Sequence, residues 1–369
     1  MRDRRLRIII ALIIISVIVA SVAAVVFLKP PPTRKNMILE FLAHSKRGDG
    51  YADSPNAKNA HLTSTYYSYM ILKTLDAWND TYRDEFKGWL KDVYFITNTD
   101  DPNYGLFADS KGVEPTIYTI YYGVKLCIDL GLYDELVNVN NVCKWIFDCY
   151  HGGCFSYRPN ESGSIIATFY AVSTLDLLGE LNESIKTEVK NWVINFMNST
   201  LTIEAPQMDI IYAGVMTLRA LNVSDQWYQS LNLSFYIRSL YERGKGFKLK
   251  DDVKSPDLLS TFWALDILIR YDKGFVDSIR SDVIGWVLSL QGSDGGFSLR
   301  EKCPSSLEAT YAAVKILEIL NALSELEKIR SEGVTIGLPP YLWIFIASII
   351  IVTVSIYLMT RRKGSESKG

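Results

Sequence analysis

Five residues that could do chemistry stand just ahead of apolar helical stretches or inside their first turns. They are His61, Glu114, Asp209, Asp257 and Glu308. Paired carboxylates so placed can serve as general acid and base on a sugar chain. Asp and Glu at helix N-termini also cap backbone amides and complement the helix dipole, with no reaction involved. Capping is the simpler reading, so these five are funnel candidates and no catalytic residue is assigned. His61 reads as a packing or hydrogen-bonding residue. Four of the five cysteines fall between Cys127 and Cys154. Cys127, Cys143, Cys149 and Cys154 are candidates for disulfides, with free thiols as the alternative. Cys143 and Cys149 lie about 9 Å apart along one helix and cannot join each other. Cys149, His151 and Cys154 match no common zinc spacing, and no metal is expected there.

These residues are positioned by a repeat. Six times, an aromatic-marked helix leads to a second, apolar helix. The first helices carry Phe41, Trp89, Trp145, Trp192, Tyr236 and Trp286. Glycine turns with Tyr51, Phe107, Phe155, Phe247 and Phe297 follow five of them. The second helices are centred on Thr65, Ile120, Thr168, Ile211, Thr261 and Thr310, with spacings of 55, 48, 43, 50 and 49 residues. A period near fifty with two helices per unit means a helical repeat array. The first helices are amphipathic and the second are apolar nearly all round, which predicts two concentric layers closed into a ring. The turn glycines are expected to supply positive φ. The fourth unit lacks its turn and counts as degenerate. Tyr66, Tyr67, Tyr69, Tyr118, Tyr121 and Tyr122 could floor an apolar pocket or a sugar site, but at helical spacing they also read as plain core.

The ends have a different character. Residues 8–28 carry no charge and follow four arginines; residues 341–359 are apolar and precede Arg361, Arg362 and Lys363. Each is long enough to cross a bilayer. Basic clusters prefer the cytoplasm, which predicts both termini inside and the middle of the chain outside the cell membrane. A cleaved signal peptide is the alternative for the first segment. Asn79, Asn160, Asn182, Asn198, Asn222 and Asn232 begin N-x-S/T triplets, consistent with an exterior glycoprotein. The chain carries formal charge −2, but between the tails 31 basic residues face 39 acidic ones. That balance argues against a nucleic-acid partner.

Residues 286–320, WVLSLQGSDGGFSLREKCPSSLEATYAAVKILEIL, resemble the repeat of protein prenyltransferase β subunits and squalene or terpene cyclases. Gln291, Gly295 and Phe297 are similar to the Q-x3-G-x-W/F element of the cyclases. The resemblance implies an (α/α)6 toroid with a central funnel. It also shows what is missing. Prenyltransferases hold zinc with Asp, Cys and His; here Asp257 matches the Asp, but Leu259 and Ala309 stand where the other two belong. The cyclase D-x-D-D acid and the thioester motif G-C-G-E-Q are absent. No cofactor is expected.

The expected fold class is all-α, an (α/α)6 toroid of six helix-pair repeats flanked by one transmembrane helix at each end. The expected segments are a basic tail 1–7, a span 8–28, a linker 29–35, the toroid 36–330, a linker 331–340, a span 341–359 and a basic tail 360–369. The expected function is a membrane-anchored, extracytoplasmic, non-catalytic binding or scaffolding module for a peptide, glycan or isoprenoid ligand. The alternative is a divergent enzyme of the fold acting on an isoprenoid or polysaccharide.

Overall fold

The computed structural model describes residues 31–203 and 206–330. One compact unit spans Arg34–Lys328. It is a closed ring of helix pairs. The first pair is α1 (Arg34–Ser45) and α2 (Leu62–Thr74), followed by α3 (Asp80–Trp89) and α4 (Ile117–Leu130). Next come α5 (Val139–Asp148) with α6 (Ile165–Leu178), and α7 (Glu183–Ile203) with α8 (Met208–Ala220). In the fifth pair the outer helix is split into α9 (Gln226–Ser230) and α10 (Leu233–Ser239), ahead of inner α11 (Leu258–Tyr271). The break is at Asn232, which takes a left-handed φ of 56°. The last pair is α12 (Lys273–Ser289) and α13 (Leu307–Ile319). Each inner helix packs on the next, and α13 packs back on α2.

The turn between outer and inner helices is the recurring device. Its aromatic residue is fully buried: Tyr51, Phe107, Phe155, Phe247 and Phe297 are each at most 1% exposed. Burying such a ring contributes about 1.5–3 kcal/mol. Its backbone amide would be lost to water there and needs a partner. The partner is a threonine hydroxyl on the inner helix of the same unit. Tyr51 N–H donates to Thr65 Oγ1 (3.0 Å), Phe155 to Thr168 (3.0 Å), Phe247 to Thr261 (2.9 Å) and Phe297 to Thr310 (2.9 Å). In the second unit the polarity reverses, and Thr119 Oγ1 donates to the Phe107 carbonyl at 2.9 Å. These threonines are therefore not helix centres, as the spacing alone suggests. Each is the fourth residue of its helix in units one, three, five and six.

The two turn glycines of the last unit serve different ends. Gly295 has φ +92°, and a Cβ there would also strike the Met37 carbonyl. Gly296 is not in the left-handed region. It is small because the Phe41 ring lies where a Cβ would go, at 2.6–2.7 Å. The expectation of positive φ at every turn glycine is thus corrected for Gly296, and for Gly48 and Gly246 likewise. Several turns pair over two or three residues, as Phe297–Ser298 does with Ser305–Ser306.

Ring closure rests on Gln291. Its Nε2 donates to the carbonyls of Arg34 (3.0 Å) and Gly295 (3.1 Å), and its Oε1 accepts from Arg34 Nη1 (2.9 Å). The last outer helix is thereby tied to the first.

The expected membrane-crossing helix at each end is corrected. Among the described residues no helix is long and apolar enough to cross a membrane. The longest of them, α7, carries Glu183, Lys186, Glu188 and Lys190 and buries one face only. Among the described residues the fold class is the all-α toroid alone. Residues 8–28 and 341–359, on which the expectation rested, lie outside the described residues.

Thr310→Val keeps the shape of the side chain but leaves the buried Phe297 amide without an acceptor. It should cost about 1–3 kcal/mol, and Thr310→Ser clearly less, in urea unfolding. Equal midpoints for the valine variant and the native chain would show that the hydroxyl does not lock the turn.

Candidate functional site

Aromatic rings line the centre of the toroid. Each inner helix presents an aromatic residue as its fifth or sixth member, and these meet in a circuit. Tyr67 lies 6.0 Å from Tyr122, Tyr122 lies 5.8 Å from Tyr170, and Tyr170 lies 5.1 Å from Phe169. Phe169 lies 6.1 Å from Tyr212, Tyr212 lies 6.0 Å from Phe262, and Phe262 lies 5.9 Å from Tyr311. Tyr311 stacks on Tyr67 at 5.0 Å and closes the loop. These spacings suit edge-to-face and offset contacts. The hydroxyls of Tyr67, Tyr122 and Tyr170 form a chain, with oxygens 3.4 and 3.0 Å apart. Because the ring members hold matching positions, the inner helices run parallel with their N-termini on one side of the circuit.

On that side lie the carboxylates. Asp257 is the N-cap of α11; its Oδ1 accepts from the Ser260 amide and its Oδ2 from the Ser260 hydroxyl, both at 2.8 Å. Burial lifts its pKa above the usual value, and the Ser260 bonds and Arg300 partly offset this. Glu308 sits in the first turn of α13. Burial lifts its pKa, the charge of Asp53 lifts it further, the Tyr67 hydroxyl pulls it back, and Asp257 adds to the rise. Asp53 is lifted by burial, while the amides of Glu308 and Leu307 and the nearby His61 lower it. Asp209 is also lifted by burial, and its Oδ1 accepts from the Ile210 amide at 2.8 Å.

His61 Nδ1 lies 3.2 Å from Asp109 Oδ2, within ion-pair reach but without hydrogen-bond geometry. The other oxygen of Asp109 accepts from the Thr63 amide (3.1 Å) and hydroxyl (2.8 Å). Of the five candidates, Glu308 thus feels the charge of Asp257 and meets His61 through Asp53. Asp209 has its own cap bond. Glu114 is exposed on the loop before α4 and lines a separate hollow with Phe95, Asn103 and Lys111.

Asp53 and Asp109 were not among the candidates. A signal for them exists: each is third in an aromatic-Ala-Asp-Ser run, residues 51–54 and 107–110. Each reaches across to the inner helix of the preceding unit. The Asp53 carbonyl accepts from the Leu307 amide (2.7 Å), and the Asp109 carbonyl from the Leu62 amide (2.9 Å).

The zinc reading does not fit these residues. Both oxygens of Asp257 are taken by Ser260, Leu259 has no donor atom, and Ala309 is fully buried. Among the described residues no group of three or more His, Cys, Asp or Glu is placed to hold a metal ion. The four cysteines considered for disulfides are free thiols. Burial pushes Cys127 and Cys149 up to about 12 and Cys143 up to about 11. Such thiols are poor nucleophiles.

Residues 11–200 and 195–336 match the family described as the prenyltransferase alpha-alpha toroid domain. The chain belongs to this family. Among solved structures, this toroid is similar to the type II terpene cyclase MstE from Scytonema. A variant in complex with merosterolic acid A is 11% identical, covers 79% of this chain and 96% of that one, and has a TM-score of 0.54. A second variant of the cyclase, in complex with geranylgeranyl dihydroxybenzoate, is 12% identical, covers 79% and 97%, and has a TM-score of 0.51. Protein geranylgeranyltransferase-I of Candida albicans, complexed with GGPP, is 19% identical over 81% of each chain, with a TM-score of 0.35. At these identities the likeness is one of fold. No curated protein matches.

The lifted carboxylates of this prenyltransferase-type toroid have a thermodynamic consequence. A group whose folded pKa is raised holds its proton longer when folded, so its contribution to stability falls as pH rises from the unfolded pKa through the folded one. Glu308→Gln removes one such group. At pH 7 its melting midpoint should lie above that of the native chain, and the gap should close near pH 4. A midpoint below native at pH 7 and equal at pH 4 would mean that Glu308 is held by partners that favour its charge.

Proposed function

We propose that this toroid is a non-catalytic binding module that seats a basic peptide segment at its carboxylate mouth. The observation that carries the reading is the closed circuit of rings across the axis, with Glu308 over Tyr67. The circuit makes the mouth a shallow seat with an aromatic floor. A lysine or arginine end fits both parts: it pairs with the crowded carboxylates and lies over the ring faces. Asp53, Asp257 and Glu308 are short of compensating charge, since only His61 and Arg300 act on them from nearby.

The cyclase complexes hold isoprenoid-derived molecules, as their descriptions state. In this chain the rings line the centre where a long chain would have to run, which favours a peptide over an isoprenoid. The enzyme reading has one observation in its favour: Glu308 feels the charge of Asp257, and both are lifted. It requires turnover of a glycan that Glu308→Gln abolishes.

We also place the toroid on the extracytoplasmic side. The support is that Asn79, Asn160, Asn182, Asn198, Asn222 and Asn232 are all exposed. At Asn79 and Asn182 the cap bond uses Oδ1, which leaves the side-chain nitrogen open to a glycan. Endoglycosidase treatment of the protein from its native cells should raise its gel mobility.

A fluorescein-labelled lysine–arginine peptide should bind the full chain. The double variant Asp257→Asn, Glu308→Gln should weaken it by about tenfold or more while leaving the fold intact. Unchanged affinity in that variant would sink the reading, as would binding of a neutral oligosaccharide in place of the basic peptide.

A further inference from the structure

On the other side of the aromatic circuit, the C-terminal parts of α6, α8 and α11 border a second, open hollow of about 650 Å³. Tyr121, Phe169 and Tyr212 form its floor, at the fifth residues of α4, α6 and α8. Met216, Arg219 and Arg270 stand on its walls, one or two turns further along α8 and α11. Ala220 and Ser173 leave room between them.

The two arginines are not equivalent. Arg270 Nη2 donates to Asp225 Oδ2 at 3.2 Å. The Tyr271 hydroxyl donates to the other oxygen of Asp225 at 2.8 Å. That bond, aided by Arg270, holds the Asp225 carboxyl below its usual pKa. Arg270 is therefore compensated. Arg219 also acts on Asp225 through its charge, but its Nη1 donates to Met216 Sδ, at 3.2 Å. A thioether is a weak acceptor, and a guanidinium has five N–H donors in a planar fork. Asp266, which does not line the hollow, accepts from the Tyr212 hydroxyl at 3.2 Å. The lining thus carries two arginines against one aspartate, with the surplus charge over an aromatic floor.

We infer that this hollow binds a small amphiphilic anion, whose apolar body rests on Tyr121, Phe169 and Tyr212 and whose carboxylate, sulfonate or phosphate takes the fork of Arg219. An arginine fork matches a planar or tetrahedral oxyanion with paired hydrogen bonds. The rings supply the area that a simple inorganic anion could not use. The site is independent of the carboxylate mouth, which has the opposite sign and lies across the circuit.

The test uses anilinonaphthalene sulfonate, whose fluorescence reports an apolar site, with the purified full chain. One site should appear. Arg219→Gln should weaken it by about tenfold or more, as expected for a lost charge-assisted pair, and Arg219→Lys should weaken it less. Ser173→Trp should remove it by filling the hollow, whereas Glu308→Gln should leave it unchanged. Naphthyl phosphate should displace the probe, while naphthol and inorganic phosphate should fail to do so at the same concentration. Displacement by dihexanoyl phosphatidic acid as well would assign the anion to a lipid headgroup; its failure beside naphthyl phosphate would assign it to a free metabolite. Equal binding by Arg219→Gln and the native chain, binding that survives Ser173→Trp, or displacement by naphthol as good as by naphthyl phosphate would overturn the inference.

Discussion

One amide-to-carbonyl hydrogen bond per turn holds the ring together. The carbonyl two residues after each turn aromatic accepts from the first residue of the preceding unit's inner helix. Asp53 accepts from Leu307, Asp109 from Leu62, Tyr157 from Ile117, Leu249 from Met208 and Leu299 from Leu258, at 2.7–3.0 Å. The first amides of a helix have no partner inside it. Five of the six inner helices thus hand their first amide to the next unit, beside whatever cap their own unit supplies. The sixth helix, α6, would need a turn from the fourth unit. That unit has none, and α6 keeps only a cap of the kind its neighbours also have: the Ser164 hydroxyl accepts from the Ile166 amide at 3.3 Å. The constraint explains why the turns keep one shape. The aromatic must be buried, the threonine must take its amide, and the strand leaving it must arrive at the neighbour's helix.

The same lock aims the axis. With the fourth residue of an inner helix held by the turn, the fifth and sixth are rotated by about 100° and 200° around the helix and point at the centre. That is where Tyr66 and Tyr67, Tyr121 and Tyr122, Phe169 and Tyr170, and Phe262 and Trp263 stand. A toroid could keep small residues here and leave a cavity. This one uses rings, which touch one another around a closed circuit. The chemistry is pushed to the two faces of the circuit, acidic at the helix N-termini and basic at the hollow beyond Tyr212. The signs follow the helix dipoles on both faces. Arg219 and Arg270 lie near helix C-termini, where positive charge is favoured, just as Asp257 and Glu308 lie at N-termini, where negative charge is favoured.

Much of this architecture was legible in the residues. The fifty-residue period, the amphipathic outer helices and the apolar inner ones gave two layers, because burial pattern is local and strong. Asp257 as a cap was legible because the N-cap and Ser260 are three residues apart. Tyr67 and Tyr122 as partners were not, because the circuit is made by contacts between units some fifty residues apart, and tyrosine at helical spacing fits core equally well. Asp53 and Asp109 were missed for the same reason: each acts on the helix of another unit, not on its own. The glycines were half legible. Gly295 has the backbone shape that glycine allows, but Gly296 is small on account of Phe41, a residue 255 positions away.

Closure finally explains the polar cluster buried between the first and last units of the ring. A linear array of such units would expose the apolar flank of its first and last members and would need capping repeats. A closed ring needs none, but its first and last units must meet in register. Apolar contacts alone tolerate sliding. The Gln291 amide does not, since its donor and acceptor are both committed to Arg34 and its second donor bond holds Gly295. Buried polar groups that are fully paired fix one arrangement, because any other leaves them unsatisfied. Gln291 is 1% exposed and Arg34 is 7% exposed, so a slip of one residue would strand a guanidinium and an amide away from water. The cost of that slip exceeds what a few displaced apolar contacts would cost. The pair therefore sets where the ring joins, and through α13 and α2 it sets how Tyr311 meets Tyr67, the contact on which the aromatic circuit closes.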